Sequence, residues 1–366
     1  MDCGTKLGLV VFFFLSATYM QQHCVVGVPQ VPCLFIFGDS LSDSGNNNNL
    51  RTEAKVNYLP YGIDFPGGPT GRFTNGKTAV DILTELLGFD GYIPPFANTS
   101  ASDILKGVNY ASGAAGILKE TGTHLGEDIS LGAQLQNHKV IVTQITQKLG
   151  TLLLAQQHLN KCLYYVNIGN NDFINNYFLP EHYTSSRDYT VDQYTQELVQ
   201  EYSMHLKELH ALGARKFALI GVSLIGCTPH EIITHGREGA ICVDEENNAA
   251  ILLNDKLRPV VDQFNKELPE AKFIFINSAL MLHGVKTPRI SGINNITNVL
   301  ICCKAGSNGQ CIPNEKPCDN RHITPFFDEF HTTEMANQVI ARSCYHAPLI
   351  PPNFAHPMDI SHLVKL

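Results

Sequence analysis

Short apolar segments that alternate with helical stretches are the feature that most restricts how this 366-residue chain can fold. The segments are rich in Val, Ile, Phe and Tyr, and they span residues 34–37, 107–110, 163–168, 217–220 and 273–276. Their apolar residues are continuous and do not alternate with polar ones. Continuous apolar runs of this length are typical of strands buried on both faces, as in a parallel sheet.

Helical periodicity fills the gaps between the predicted strands. The predicted helices span residues 77–87, 191–212, 244–268 and 333–343. The second follows the pattern Thr190-x-x-Gln193, which is typical of a capping box. This alternation predicts an α/β protein, a three-layer α/β/α domain with a central parallel five-stranded sheet in the flavodoxin-like order 2-1-3-4-5. Because no Pro/Gly/Ser-rich linker divides the chain, we expect a single domain over residues 28–366.

The first 27 residues have the composition of a secretory signal peptide. Lys6 gives a positive start, and residues 7–17 form an apolar run too short to span a membrane. An uncleaved anchor is the alternative. Asn98 and Asn295 begin N-x-S/T sequons, which matter only in an exported chain. We therefore expect a secreted, extracellular glycoprotein.

The net charge of −8 excludes two classes of partner. An acidic chain without a run of Lys or Arg is a poor binder of nucleic acids or anionic membranes. No segment after the leader reaches the roughly 18 apolar residues that a membrane span needs, so we expect no stable membrane insertion. We expect a monomer.

Cysteine usage agrees with export, since disulfides persist in oxidising compartments. The candidates are Cys33, Cys162, Cys227, Cys242, Cys302, Cys303, Cys311 and Cys318. Cys227 is expected to pair with Cys242. Cys33 is expected to pair with Cys162, because these two precede strands expected to be neighbours; the alternative is that both are buried free thiols. The last four should form two bridges, with no bridge between the adjacent Cys302 and Cys303, which leaves two connectivities open. A zinc site is the alternative for these four, although their spacing lacks the paired CxxC pattern.

The end of the first predicted strand carries a candidate nucleophile. The apolar run leads directly into Gly38-Asp39-Ser40-Leu41, which places a serine hydroxyl in a tight turn. Such a serine can act as a nucleophile when a base reaches it, although Gly, Asp and Ser are also common turn residues. Ligands of open parallel sheets bind beyond the carboxyl ends of the strands, where this turn would lie.

Residues after two further strands could stabilise an oxyanion. Gly113 follows the second predicted strand, and Asn171 follows the third. The backbone N–H groups of Ser40 and Gly113 and the amide of Asn171 would supply three donors to a developing negative charge. Each residue alone is equally typical of a turn. Their common position after strands predicts an oxyanion hole.

A general base must come from the C-terminal region, which contains three Asp-x-x-His pairs. They are Asp319/His322, Asp328/His331 and Asp359/His362. We select the second pair because it lies among phenylalanines directly before a predicted helix. Desolvation strengthens coupling between a carboxylate and an imidazole. The N-terminal end of a helix also favours a neutral imidazole, the form that acts as a base.

Taken together, these blocks resemble the plant GDSL esterase/lipase family of the SGNH hydrolases. The matching blocks are Gly38-Asp39-Ser40-Leu41, Asn109-Tyr110-Ala111-Ser112-Gly113-Ala114-Ala115-Gly116, Gly169-Asn170-Asn171-Asp172 and Asp328-Glu329-Phe330-His331. The resemblance implies Ser40 as nucleophile, His331 as base and Asp328 as its partner. It implies oxyanion donors from Ser40, Gly113 and Asn171. It also implies no cofactor, no metal, and an ester substrate that is a small molecule, a lipid or a polymer.

Three positions depart from the family pattern. Phe327 stands where the family usually has Trp, Thr332 where it usually has Pro, and Lys304 where it usually has Gly. None of these changes removes a reacting group. We therefore expect them to affect rate and substrate choice more than activity itself.

The leading hypothesis is a secreted serine esterase/lipase that forms an acyl-enzyme on Ser40. An acyltransferase would use the same acyl-enzyme, and the sequence does not separate the two. A non-catalytic secreted binding protein of the same fold is a further alternative, which an intact triad disfavours. The α/β-hydrolase architecture is also disfavoured, because no Ser in the chain has Gly at both −2 and +2.

Overall fold

A five-stranded sheet lies at the centre of the protein, whose computed structural model describes residues 28–99, 104–282, 300–348 and 353–366. The strands are β1 (Leu34–Gly38), β2 (Leu163–Asn167), β3 (Lys216–Ile220), β4 (Lys272–Ile276) and β5 (Ala355–His356). They lie in the order β1-β2-β3-β4-β5. The first four are parallel, and β5 pairs antiparallel with β4. The α/β prediction is therefore confirmed, with one antiparallel strand at the edge.

Helices cover both faces of this sheet. They are α1 (Ala79–Leu86), α2 (Leu131–Leu149), α3 (Leu152–Leu159), α4 (Asn170–Asp172), α5 (Ser185–Asp188), α6 (Val191–Ala211), α7 (Pro229–Thr234), α8 (Asp244–Glu267), α9 (Ser278–Leu282), α10 (Glu334–Tyr345) and α11 (Ile360–Leu363). Short 3-10 or π turns lie at Asn46–Asn49, Phe96–Asn98, Ile104–Lys106, Thr123–Leu125, Phe173–Tyr177 and Ile225–Cys227. Among the described residues, we find no helix with the length and apolar character needed to cross a bilayer.

Burial on both faces explains the continuous apolar runs of the strands. All residues of β1 and β2 are buried. Phe35 and Phe37 of β1 face a core that also contains residues of α2, α6 and α8. Leu34 and Ile36 face a second core, which contains residues of α1, α10 and α11. The sheet therefore separates two hydrophobic cores, as a three-layer architecture requires.

The four predicted helices are present as α1, α6, α8 and α10. The predicted capping box of α6 is formed, because Thr190 and Gln193 each accept the backbone N–H of the other. Helix α8 continues across Pro259 and ends at Glu267. Helices α2 and α3 were not predicted. In α2 the polar residues Gln134 and His138 occupy buried positions, which interrupts the apolar pattern.

The predicted strand at residues 107–110 is not one of the five strands. Its backbone runs beside β1, where the N–H of Ile36 donates to the carbonyl of Val108 at 3.0 Å. The N–H of Tyr110 donates back to the carbonyl of Ile36 at 2.8 Å. The segment therefore occupies its predicted place, but as isolated bridges. Gly107 allows the approach to β1, since it has a φ of 116° and a Cβ there would lie 1.9 Å from the carbonyl oxygen of Leu34.

Four disulfides join the predicted cysteines in the structure. The pairs are Cys33–Cys162, Cys227–Cys242, Cys302–Cys318 and Cys303–Cys311. The Cα atoms of the first pair are 4.7 Å apart, because both residues directly precede neighbouring strands. The last two pairs select one of the two connectivities that the sequence left open. Cys344 is a buried free thiol.

The predicted leader at residues 1–27 and the predicted sequon at Asn295 lie outside the described residues. Asn98 is exposed at the end of the turn Phe96–Asn98. Its side chain is therefore accessible to a glycosylating enzyme in the folded chain.

The disulfide pairing can be tested with a single substitution. Cys318→Ser should leave Cys302 as a new free thiol, because the structure bonds these two residues. Alkylation of the denatured, non-reduced protein at low pH, followed by peptide fragmentation, should place the label on Cys302. The lost loop closure should also lower the free energy of unfolding by about 3 kcal/mol. A label on Cys303 would contradict the pairing.

Candidate active site

The turn that carries Ser40 is held from two sides at the carboxyl end of β1. The N–H of Gly38 donates to Oε1 of Gln134 at 2.9 Å, and Nε2 of Gln134 donates to the carbonyl of Gly38 at 2.8 Å. The carboxylate of Asp39 accepts the N–H of Leu41 at 3.0 Å and the amide of Asn170 at 3.2 Å. These contacts fix the backbone on either side of Ser40, so its hydroxyl has a defined direction.

The predicted catalytic residues form one continuous chain of hydrogen bonds. Ser40 Oγ lies 2.8 Å from His331 Nε2. His331 Nδ1 lies 2.9 and 2.8 Å from the two carboxylate oxygens of Asp328. Asp328 is fully buried, and its Oδ1 also accepts the N–H groups of Phe330 and His331. A serine hydroxyl, an imidazole and a buried carboxylate in this order can activate the hydroxyl as a nucleophile.

The two other Asp-x-x-His pairs lie away from this chain. Asp319 forms an exposed ion pair with Lys316 at 2.8 Å, and His322 lines a separate surface groove. Asp359 caps helix α11 and accepts the N–H of His362. Neither pair lines the cavity at Ser40.

Tyr61 contacts the carboxylate of Asp328, a contact that the sequence does not reveal. Its hydroxyl donates to Asp328 Oδ2 at 2.5 Å and accepts the N–H of Cys311 at 3.0 Å. Burial, together with the charge of Asp328, raises the pKa of Tyr61 well above its ordinary value, so the phenol stays a donor. Its ring meets the buried ring of Phe327 edge to face, with centroids 5.5 Å apart. Asp328 is thereby held by a side chain 267 positions away in the chain.

Asn171, the predicted oxyanion donor, lies in the wall of the cavity at Ser40. Its Nδ2 donates to the carbonyl of Ala115 at 3.0 Å, which leaves a second N–H of the amide available. Its Oδ1 accepts the amide of Asn175 at 2.7 Å. Both asparagines line the cavity at Ser40. Since Asn175 occupies the carbonyl end, the amino end of Asn171 remains for a ligand.

The structure differs from the sequence prediction at Gly113. Its N–H donates to the buried carboxylate of Asp43 at 3.2 Å and is not directed to a ligand. The next residue, Ala114, lines the cavity and has a φ of 68°, the left-handed conformation. Its N–H makes no hydrogen bond within the described part of the chain. Backbone dihedral angles of this kind are not readable from sequence, so the sequence alone does not distinguish Gly113 from Ala114 as the donor.

Buried carboxylates organise the loops on both sides of Ser40. Asp43 accepts the N–H groups of Gly45 and Asn46 at 2.7 Å each, in addition to that of Gly113. Burial raises the pKa of Asp43 to about 6. The N–H donors oppose this effect and favour the ionised form. The loop after β1 is therefore tied directly to the loop of the predicted oxyanion donor.

Asp172 has the same role on the other side. Its carboxylate accepts the N–H groups of Ile117 and Leu118 at 2.8 and 3.0 Å and the hydroxyl of Thr121 at 2.8 Å. Burial raises the pKa of Asp172 to about 6. Asp172 directly follows Asn171, so these bonds fix the candidate oxyanion donor relative to the loop at residues 114–121.

A cavity of about 220 Å³ opens at the hydroxyl of Ser40. Its apolar wall includes Leu125, Ile174, Leu179, Ile225 and Phe330. Ser40, His331 and Asn171 are among the polar residues that line the same cavity. An apolar pocket with a few converging polar groups is the usual form of a small-ligand site.

Comparison with known proteins gives a consistent result. The family model for GDSL-like Lipase/Acylhydrolase matches residues 34–343. Three GDSL esterase/lipases of Arabidopsis thaliana are 49%, 44% and 45% identical over 367, 367 and 359 residues. These alignments cover 95%, 95% and 97% of this chain and 99%, 100% and 99% of the relatives. The matched region contains Ser40, Asp328 and His331. The protein belongs to the GDSL-like lipase/acylhydrolase family.

Proposed function

We propose that the protein is a secreted serine hydrolase of carboxylic esters that works through an acyl-enzyme on Ser40. The observation that carries this proposal is the unbroken chain from Ser40 through His331 to Asp328 at the end of an apolar cavity. An ester presents both an apolar acyl group for the cavity and a carbonyl carbon for the hydroxyl. The hydrolase names of the family and of the Arabidopsis relatives support the same reaction class.

In the first half-reaction, Ser40 Oγ attacks the ester carbonyl carbon while His331 Nε2 takes the hydroxyl proton. Asp328 holds His331 Nδ1–H and stabilises the imidazolium that forms. Collapse of the tetrahedral intermediate expels the alcohol, which receives the proton from His331. In the second half-reaction, water attacks the acyl-enzyme with the same His331 as base and releases the carboxylic acid.

Three donors are proposed for the oxyanion of the tetrahedral intermediate. They are the N–H of Ser40, the free amide hydrogen of Asn171 and the N–H of Ala114. Ala114 takes the place that the sequence assigned to Gly113, because the N–H of Gly113 already donates to Asp43. Donors that are fixed before the reaction stabilise the developing charge without reorganisation.

Export is supported by three independent features. The first 27 residues read as a signal peptide, four disulfides join the described part of the chain, and the Asn98 sequon is exposed. Disulfides on this scale are rare in reducing compartments. The proposed substrate is therefore an extracellular ester.

Ser40→Ala and His331→Ala should each abolish nearly all turnover, a loss on the order of 10⁶-fold, and the double variant should lose little more. The reason is that the nucleophile and its base act as one unit. The assay is hydrolysis of a short-chain aryl ester by folded protein. His322→Ala and His362→Ala are matched controls that should retain most activity. Equal damage from His322→Ala would overturn the assignment of the base.

Asn171→Ala should lower kcat by roughly 10²–10³-fold with little change in KM, as expected for the loss of one oxyanion donor. Steady-state kinetics on the same ester provide the measurement. Asn175→Ala is the comparison, since it removes the group that orients Asn171 but no proposed donor, and its loss should be smaller. An effect of Asn171→Ala confined to KM would mean that Asn171 binds the ground state.

Tyr61→Phe should lower kcat/KM by about tenfold or more, because the substitution removes a hydrogen bond to a buried charge but keeps the ring packing. Tyr58→Phe is the matched control, because its hydroxyl contacts the carbonyl of Cys311 and not Asp328. An unchanged kcat/KM in a folded Tyr61→Phe variant would show that Tyr61 only fills space.

A further inference from the structure

Two buried carboxylates and one imidazole form a cluster outside the active site. Glu231 lies on α7, Glu246 lies on α8, and each is only 2% exposed. Nδ1 of His235, which directly follows α7, lies 2.9 Å from Glu231 Oε2 and 2.7 Å from Glu246 Oε1. The side chain of His235 is 38% exposed, so the cluster can be reached from solvent.

The charges of this cluster are not balanced by the groups that surround it. Within the described residues, His235 is the ion-pair partner of both glutamates, and one imidazole offsets at most one negative charge. Oε2 of Glu246 is buried and has no hydrogen-bond partner among those residues. A buried carboxylate oxygen without a partner is costly. A cation at this point would offset the excess negative charge and would give Oε2 of Glu246 a partner.

A divalent cation at this point would match the charge of two ionised carboxylates, since buried charges in proteins are paired or coordinate metals.

A disulfide arranges the three side chains in advance. Cys227 and Cys242 are joined, with their Cα atoms 4.3 Å apart. Helix α7 begins at Pro229, two residues after the first cysteine, and α8 begins at Asp244, two residues after the second. The starts of the two helices are thus held together independently of any ligand. Donors positioned in this way lose little conformational entropy on binding.

We propose that Glu231, His235 and Glu246 form a site for a divalent metal ion of the Zn²⁺ type. Two carboxylates and one imidazole supply three protein ligands, with water completing a tetrahedral shell. The imidazole nitrogen selects Zn²⁺ and similar transition metals over Mg²⁺ and Ca²⁺, which prefer oxygen ligands. The possible ligand atoms of the three side chains lie within 4.8 Å of one another.

Helix α7 carries one ligand of the proposed metal site and also lines the cavity at Ser40. His230 of this helix lines the cavity, and its ring packs on Phe330 with centroids 4.3 Å apart. Nδ1 of His230 also lies 3.1 Å from a carboxylate oxygen of Glu329, between Asp328 and His331 in the chain. The metal would therefore stabilise one wall of the cavity and take no part in the ester chemistry. The proposal is independent of the proposed hydrolase function.

Titration of the disulfide-bonded full chain with Zn²⁺ alone tests the site. Calorimetry at neutral pH should show one equivalent of Zn²⁺ bound. Zn²⁺ should also raise the thermal unfolding temperature. Glu246→Gln and His235→Asn should each weaken binding at least tenfold and reduce the thermal shift.

The control and the contrary outcomes are defined by the same titration. His210→Asn removes an imidazole from another pair, in which His210 Nε2 lies 2.6 Å from Glu270, and it should bind Zn²⁺ as the unmodified chain does. His235 is partly exposed, so His235→Asn decides the question if Glu246→Gln does not fold. The proposal fails if the unmodified chain takes up no stoichiometric Zn²⁺. It also fails if a folded Glu246→Gln or His235→Asn variant binds Zn²⁺ as tightly as the unmodified chain.

Discussion

The parallel register of β1 and β2 is the constraint on which the candidate site depends. Gly38 at the end of β1 lies opposite Asn167 at the end of β2. The loops that follow therefore begin at the same height, and Ser40 and Asn171 come to the same edge of the sheet. Gly38 cannot carry a side chain, because a Cβ would lie 2.6 Å from the carbonyl oxygen of Asn167. The close approach of these two strands thus brings Ser40 and Asn171 to the same cavity.

Much of this arrangement could be predicted from the sequence. Strands buried on both faces have continuous apolar runs, and the carboxyl ends of parallel strands lie at the same edge of the sheet. The choice of His331 among 15 histidines also followed from local pattern. Other features depend on contacts that local pattern does not encode. Gln134 is a polar residue in a core position because its amide binds both the N–H and the carbonyl of Gly38. Tyr61 lies far along the chain from Asp328, and the choice between Gly113 and Ala114 depends on a backbone dihedral angle.

Buried carboxylates accept backbone N–H groups in the loops, as backbone carbonyls do in helices and strands. The loops after β1 and after residues 107–110 are irregular, and their backbone N–H groups need acceptors once they are buried. Asp43 accepts N–H groups from its own loop and from Gly113, and Asp172 accepts those of Ile117 and Leu118. Each carboxylate therefore joins the segment that carries it to the loop at residues 113–121. The candidate oxyanion donors are therefore positioned by charge and hydrogen bonding more than by packing.

His331, the proposed base, and Asp328 are supported by a small hydrophobic cluster and two disulfides. Asp328 and His331 lie beside a third, small hydrophobic cluster that contains Tyr61, Phe73 and Phe327. A cluster of this size buries little apolar surface, so it contributes less stability than the two main cores. The Cys302–Cys318 and Cys303–Cys311 disulfides lie within it and restrict the unfolded chain at this point. The N–H of Cys311 also donates to the hydroxyl of Tyr61, which in turn donates to Asp328. The Cys303–Cys311 disulfide is therefore connected to the carboxylate of Asp328 by two hydrogen bonds. With this support, a small core is sufficient to hold the imidazole of His331 2.8 Å from Ser40.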